Sequence, residues 1–566
     1  MLFTIEVNGQ QITARRGETI LECLLRNGIK VPTLCHMDGY SPTGACRICM
    51  VEVEGRNELI PSCSHPVEEW MKIKTHSPKV IRARKANVEL LLSNHPDECL
   101  YCERNGSCEL QNLAFDLNIR ERRFNGQKHE YKKDYASPAI LRDPSKCILC
   151  GRCVRLCETE QAVGAIDFYG RGNTMMIGTS YNHCLSIKNC HNCGQCVLVC
   201  PTGALYERQH IPKVQELLHK PEARVLAHLS PTVAASVASA FGLRSGKDLA
   251  GLIAAALLKI GFFKVYDTSA AIDIHIMENA ALLKKRLEAG ENFPLFSSCC
   301  PAWVHYFETF YPHMLKHLSP VLSPMQIMGS MLKKNSGTEA ANNYVVGIMP
   351  CTAKKHEMQR PEMYKGTGML TDAVLTTREL INLIKLHGVD LENIDPVLPN
   401  APYHVRSTAA RLYGVSGGAA EAIARTLFFM LTGQELEPIR INELRNGNLR
   451  REVKIKAGKT RIGFVAVSTI KEARKLMDEI LGGRRDIHFV EVMACPGGCI
   501  NGGGQPIGAD EKDLKLRVKS LYETDERENI RVAHKSPLVN ELYQKQFEYP
   551  GSPSACEFFH KAKNQA

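Results

Sequence analysis

Residues 2–15, LFTIEVNGQQITAR, alternate apolar and polar side chains in two runs that meet at Asn8-Gly9. This pattern predicts a β-hairpin, because both central residues of the tight turn need positive φ. TILECLLRNGI then shows helical spacing and stops at Gly28. Residues 1–78 therefore predict a small β-rich domain. Helical spacing returns in VIRARKANVELLLSNH, so 79–125 predict a small helical domain with a cysteine-rich turn. NGQKHEYKKDYASP is polar and reads as a linker, and 138–209 hold a twofold cysteine repeat, so 126–209 form a third module. From about 210 the pattern changes. VLAHLSP, YVVGIMP and HFVEVMACP are apolar strands running into loops; AASVASAFGL, DLAGLIAAALLKIG and the run at Arg425–Leu431 are helical. Residues 210–520 predict a large α/β domain, with 521–566 packing on it as a C-terminal extension. The whole reads as a multidomain α/β and α+β chain. Ligands of α/β folds bind beyond strand ends, so these loops are where chemistry is expected.

A length of 566 residues suggests about four domains. The opening MLFTIEVNG lacks the basic-then-apolar order of a secretory leader. The best apolar run, near Leu249–Phe263, is broken by Lys259 and falls short of a membrane span. A cytoplasmic location without membrane attachment is expected. Thiols stay reduced there, so the 23 cysteines read as metal-binding or catalytic rather than as disulfides. Net charge is +11, either a solvated basic surface or a docking face for an acidic redox partner. The basic residues are dispersed and accompany no binding motif, which argues against nucleic acid.

Three cysteine sets carry cluster spacing. Cys35, Cys46, Cys49 and Cys63 follow the hairpin and helix, which favours a β-grasp, 2Fe–2S ferredoxin-like module over zinc. His95, Cys99, Cys102 and Cys108 suit either a histidine-ligated 4Fe–4S cluster or zinc. Cys147, Cys150, Cys153 and Cys157, then Cys190, Cys193, Cys196 and Cys200 before Pro201, form the bacterial two-cluster ferredoxin pattern. In that pattern the fourth cysteine of each run serves the other cluster. Cys200 therefore joins Cys147, Cys150 and Cys153, and Cys157 joins Cys190, Cys193 and Cys196. This predicts one 2Fe–2S and three 4Fe–4S accessory clusters.

Three further segments remain: SSCCPAW, MPCTAKKHE and EVMACPGGCINGGGQP. They supply Cys300, Cys351, Cys495 and Cys499, each in a loop after a predicted strand. Gly497, Gly498 and Gly502–Gly504 permit positive φ and close backbone approach to a bulky inorganic group. One more buried cluster, with four ligands from three distant segments, is expected.

Together these segments resemble the signature of the iron–iron (FeFe) hydrogenases, differing from it at Ser297. The N-terminal modules resemble the long, clostridial-type members. The resemblance implies two α/β lobes around an H-cluster: a 4Fe–4S cubane joined through a cysteine sulfur to a diiron site with carbon monoxide, cyanide and azadithiolate. It implies that Cys300, Cys351, Cys495 and Cys499 hold the cubane, with Cys499 as the bridge. Lys354 would hold one cyanide; Ser230 and Thr232, around Pro231, would donate to the second or cap the following helix. Met349 and Met493 would pack against the diiron ligands. Cys299 would be the proton relay, which accounts for two adjacent cysteines of which one is a ligand. The resemblance further implies H2 and protons as substrates, a ferredoxin or similar acidic carrier, and maturation proteins for the diiron unit. Cys23, Cys184 and Cys556 fit no ligand spacing and read as structural.

One departure stands out. The family's route onward from the relay cysteine passes two glutamates, a serine and an arginine. Those positions hold Asn279, Leu282, Ser319 and Arg286. Asparagine has no proton to release near neutral pH, and leucine has none at all. Glu278 is adjacent, but about 100° around the helix. The implied function is reversible H2 = 2H+ + 2e−. The alternatives are a slow hydrogen sensor, an electron-transfer subunit similar to that of respiratory complex I, and a zinc-rich structural protein.

Overall fold

The computed structural model describes residues 2–561 apart from 122, 126–127, 187–188, 244–247, 335–341, 366–367 and 404. Part of the predicted linker (126–127) and the end of the predicted extension (562–566) lie outside the described residues. The chain divides into two compact units. The first is Met1–Thr159, Gly164–Ile187 and Val199–Tyr206; the second is Glu160–Val163, Lys188–Leu198 and Glu207–Ala566.

In the first unit, strands Leu2–Val7 and Gln10–Arg15 pair antiparallel. Asn8 and Gly9 turn between them with φ of 52° and 83°. The strands join a five-stranded sheet ordered 10–15, 2–7, 72–74, 50–53, 60–61. Helix Ile20–Arg26 packs its buried Ile20, Leu21 and Leu24 on this sheet. Thr19 and Glu22 form a reciprocal capping box at its start, and Gly28 ends it at φ 76°. Helix Pro78–Ser93 follows. Its Arg84 is only 1% exposed and donates to the carbonyls of Ile48 and Met50. Short modules bury too little apolar surface to stand alone. Such contacts merge the cysteine-bearing modules into one body rather than a string of separate domains.

The second unit contains two four-stranded sheets. One is wholly parallel, in the order Lys264–Asp267, Arg224–Leu229, Asn343–Met349, Ala373–Thr376. The other runs Leu295–Phe296, Phe489–Met493, Thr460–Ser468, Arg450–Ala457, with only the last pair antiparallel. Strand Asn343–Met349 is almost continuously apolar because helices cover both faces of a parallel sheet. The longest helix, Ser269–Ala289, is buried over its first three turns and packs against Gly418–Thr432. Ser230, Cys300, Cys351 and Cys495 all lie just past strand ends.

Candidate active site

Cys300, Cys351, Cys495 and Cys499 wall a single cavity in the second unit. Cys300 is the N-cap of helix Pro301–Phe310. Cys351 follows strand Asn343–Met349, and Cys495 and Cys499 bracket the turn after Phe489–Met493. Burial first, then neighbouring sulfurs (Cys351 and Cys300 for Cys495; Cys299, Cys351 and Cys300 for Cys499), push both thiols well above their ordinary range. Burial pushes Cys351 up to about 12. Four thiols around one cavity disfavour one another's ionised form, and polycationic iron would relieve that. The donor set therefore fits a cubane. The atom-free space here is about 750 Å³, against about 430 Å³ around Cys147, Cys150, Cys153 and Cys200. The larger cavity has room for more than a single cubane.

The excess space is bounded by Cys299, Lys354, Ser230, Pro231, Thr232, Met349 and Met493. Lys354 is 7% exposed; its Nζ donates to Glu357 Oε2 at 2.7 Å and to the Cys299 carbonyl at 3.3 Å. Burial is the largest influence on Lys354 and opposes its charge, but Glu357 together with the Cys299 and Cys351 sulfurs holds the ammonium above its ordinary pKa. Burial pushes the Cys299 thiol up to about 12, although Lys354 pulls the other way. Ser230 is the N-cap residue of helix Pro231–Ala240, but its hydroxyl makes no capping bond. It lies 3.1 Å from the Thr232 hydroxyl, and both residues line the cavity.

Ser319 and Arg286 do not line this cavity. Ser319 donates to Asn279 Oδ1 at 2.7 Å, and Asn279 donates back to the His275 carbonyl at 2.8 Å. Arg286 spends its guanidinium on the carbonyls of Asn292 and Lys316. Leu282 packs against the apolar core beside this row.

The glycines act differently from the expectation. Gly497 and Gly498 do adopt positive φ, 76° and 101°. Gly502–Gly504 do not; each instead admits protein backbone or side chain. A Cβ on Gly502 would meet Pro350 O at 2.2 Å, on Gly503 Cys193 O at 2.1 Å, and on Gly504 Thr376 Cβ at 2.8 Å. The run lets three chain segments close over one another. Cys193 also contributes to the electrostatic environment of Cys495, so the Cys190–Cys196 loop packs beside the cavity.

In the first unit, Cys35 faces Cys46 and Cys63, and Cys63 faces Cys49. His95, Cys99, Cys102 and Cys108 share one pocket, and Cys147, Cys150, Cys153 and Cys200 another. Cys157 belongs to the first unit, whereas Cys190, Cys193 and Cys196 belong to the second. Cys23 is buried and donates to Thr13 O at 3.7 Å. Cys184 is exposed and so is not a packing residue.

Two site residues escaped the sequence. Tyr413 lines the cavity with its hydroxyl toward Cys299 and Ser297. It makes no hydrogen bond of ordinary length among the described residues. Its only signal is the glycine-rich run 414–418 that follows it. Glu491, within the third motif, accepts the backbone N–H of Gly417 and Ala420 at 2.7 Å each, anchoring helix Gly418–Thr432 beside the cavity.

Residues 223–503 match the family model described as iron only hydrogenase large subunit, C-terminal domain, and 510–561 match iron hydrogenase small subunit. Upstream, 2–78 match a 2Fe-2S iron-sulfur cluster binding domain, 84–123 an NADH-ubiquinone oxidoreductase-G iron-sulfur binding region, and 141–204 a 4Fe-4S dicluster domain. The chain is 38% identical to NADP-reducing hydrogenase subunit HndD of Solidesulfovibrio fructosivorans, covering 99% of this chain and 98% of that one. It is 35% identical to Iron hydrogenase 1 of Clostridium pasteurianum, covering 98% and 99%. Its fold matches an apo [FeFe]-hydrogenase from Chlamydomonas reinhardtii with a TM-score of 0.56 and 29% identity, over 62% of this chain and 98% of the other.

Proposed function

Because the chain belongs to the iron-only (FeFe) hydrogenase family, we propose that it catalyses H2 = 2H+ + 2e− at an H-cluster held by Cys300, Cys351, Cys495 and Cys499. The observation that carries this reading is the convergence of four cysteines with Lys354 and Cys299 on one cavity. When bound, the H-cluster would supply the iron pair at which dihydrogen is made or split and a cubane that exchanges electrons.

The chain's own residues have separate tasks. Lys354, kept cationic by Glu357, would hold a cyanide ligand through a charge-assisted hydrogen bond worth about 1.5–3 kcal/mol. The Ser230 and Thr232 hydroxyls would face the second cyanide. Met349 and Met493, 4% and 5% exposed, would keep water from the metal face. Cys299 retains its proton at neutral pH and offers an S–H donor inside the cavity, which suits a relay. Ser319 keeps its place beside Asn279, but no carboxylate stands at 279 or 282. Proton exit would therefore differ from the usual glutamate route, with Ser319 and Arg286 only partly retained.

Electrons would pass through the accessory clusters: Cys190, Cys193, Cys196 and Cys157; Cys147, Cys150, Cys153 and Cys200; then the His95 and Cys35 sets. The net charge of +11 supports an acidic carrier such as ferredoxin. The name of one full-length relative, a subunit of an NADP-reducing hydrogenase, favours a second reading in which a partner subunit takes the electrons. Protein co-produced with maturation proteins should evolve H2 from reduced viologen. Loaded protein that evolves none would be a sensor rather than a catalyst. H2-driven reduction of ferredoxin by the isolated chain supports the carrier reading; viologen reduction without ferredoxin reduction supports the partner subunit.

A further inference from the structure

A second constellation lies away from every cluster motif. Helix Pro553–Phe559 carries Cys556 and is capped by His560. His560 follows the helix in extended backbone, bridged to Val321, so its ring reaches Cys556 by packing rather than by helical spacing. Facing them on helix Ser269–Ala289 is Glu278, which is 0% exposed. A carboxylate oxygen of Glu278, the Cys556 sulfur and a His560 ring nitrogen all lie within 4.8 Å of one another.

The carboxylate is divided between two tasks. Its Oε1 accepts the Tyr543 hydroxyl at 2.7 Å and the Gly551 N–H at 3.1 Å. Its Oε2 meets His560 Nε2 at 2.8 Å. One oxygen is thus anchored while the other meets the imidazole; the Cys556 S–H donates to the Gly551 carbonyl at 3.5 Å. Outer partners fix metal-binding carboxylates in this way. A buried carboxylate also needs a compensating charge. Among the described residues, His560 is the only partner of Glu278 at ion-pair distance. The three groups border a cavity whose wall also includes Lys284, Glu288 and the exposed Tyr549. That opening offers an entry path and space for a water ligand.

We propose that Glu278, Cys556 and His560 form a binding site for a divalent transition metal of the zinc class, fastening the C-terminal segment to the long helix. Thiolate, imidazole and carboxylate each bind zinc at about 2.0–2.3 Å, and three protein ligands leave the fourth position to water. A thiol in the set disfavours magnesium and calcium, which take oxygen ligands. The site is independent of the H-cluster and does not depend on hydrogenase activity.

The test uses the full chain with its iron–sulfur clusters reconstituted, so that cluster thiols are occupied. The protein is exposed to Zn2+ alone, desalted against a weak chelator, and examined by metal analysis and zinc-edge X-ray absorption. The expected result is one zinc per chain with one sulfur and two or three nitrogen or oxygen neighbours. Cys556→Ala with His560→Ala removes that zinc and leaves the iron content unchanged. Tyr543→Phe, which touches only the anchoring oxygen, weakens zinc binding about tenfold or more. Equal zinc in wild type and double variant, or zinc with several sulfur neighbours, overturns the proposal. Should the double variant fold poorly, Cys556→Ser serves instead: retention of the same single-sulfur zinc signal overturns the site.

Discussion

Gly497 and Gly498 are neighbours with positive φ in the same ligand loop, yet they should respond very differently to alanine. Gly498 sits at φ 101°, ψ −158°, a region almost reserved for glycine. A Cβ there would meet Ser416 N at 2.7 Å, Gly414 O at 2.8 Å and Met493 Sδ at 2.8 Å. Two of these are backbone atoms fixed by hydrogen bonds, Cys499 N–H to Gly414 O at 2.8 Å and Ser416 N–H to Gly497 O at 3.1 Å. Backbone strain of about 1–3 kcal/mol adds to overpacking of about 1–3 kcal/mol. The cheapest relief is to move the loop, and Cys499 moves with it. Gly497, at φ 76°, has only Ile500 Cδ1 within reach, at 3.7 Å. Its alanine variant should carry about 1–2 kcal/mol of left-handed strain and little else. Both variants are made without maturation proteins, clusters are reconstituted, and iron and sulfide are counted. Gly498→Ala should lack about four irons and four sulfides, one cubane's worth, while Gly497→Ala retains them. Full loading of Gly498→Ala, or equal losses in both, would refute the packing argument.

Lys355, next to Lys354, is 0% exposed and pairs with the equally buried Glu379 at 2.6 Å. Lys355→Met should destabilise the second unit by about 3–5 kcal/mol, because it strands a buried carboxylate; a melting temperature within error of wild type would contradict this. Burial raises Asp273 to about 7 despite hydrogen bonds from Ser407. The folded state thus holds that proton more tightly than the unfolded chain, so the stabilisation present at acid pH is lost as pH rises through about 7. Wild type should lose more thermal stability between pH 5.5 and 7.5 than Asp273→Asn does; parallel curves would show that Asp273 does not titrate in this window. Cys299→Ala should nearly abolish turnover while the iron content stays at the wild-type level, and near-normal turnover would mean protons leave without this thiol. Asn279→Glu preserves an acceptor for Ser319 but crowds a site with no exposure. It should leave turnover unchanged or raised in folded protein, and a collapse would mark Asn279 as part of a tuned network.

What the sequence revealed was local or covalently spaced. Asn8-Gly9 specifies its own turn, and the apolar run of strand Asn343–Met349 specifies burial on both faces. The spacing of the cysteines specifies cluster chemistry before any fold is known. What stayed hidden depends on packing between distant segments. Nothing near Tyr413 tells that its hydroxyl ends beside Cys299. The partners of Glu278 lie 265 and 282 residues away, in the C-terminal segment. The Gly502–Gly504 run looked suited to an inorganic group, but Pro350, Cys193 and Thr376 take that space. Ser230 carried the pattern of an N-cap, as Ser77 and Ser552 do before their own prolines, yet it makes no capping bond and its hydroxyl lies beside that of Thr232.

Infrared spectroscopy of protein co-produced with maturation proteins probes the heart of the account. Cys300, Cys351, Cys495 and Cys499 are held to grip an organometallic centre, and carbon monoxide and cyanide stretches report such a centre apart from any conventional iron–sulfur cluster. The account predicts both sets of bands in the wild type and their loss in Cys499→Ala, with the accessory-cluster iron retained. A fully cluster-loaded wild type that shows neither set, prepared alongside a control hydrogenase that shows both, would contradict it.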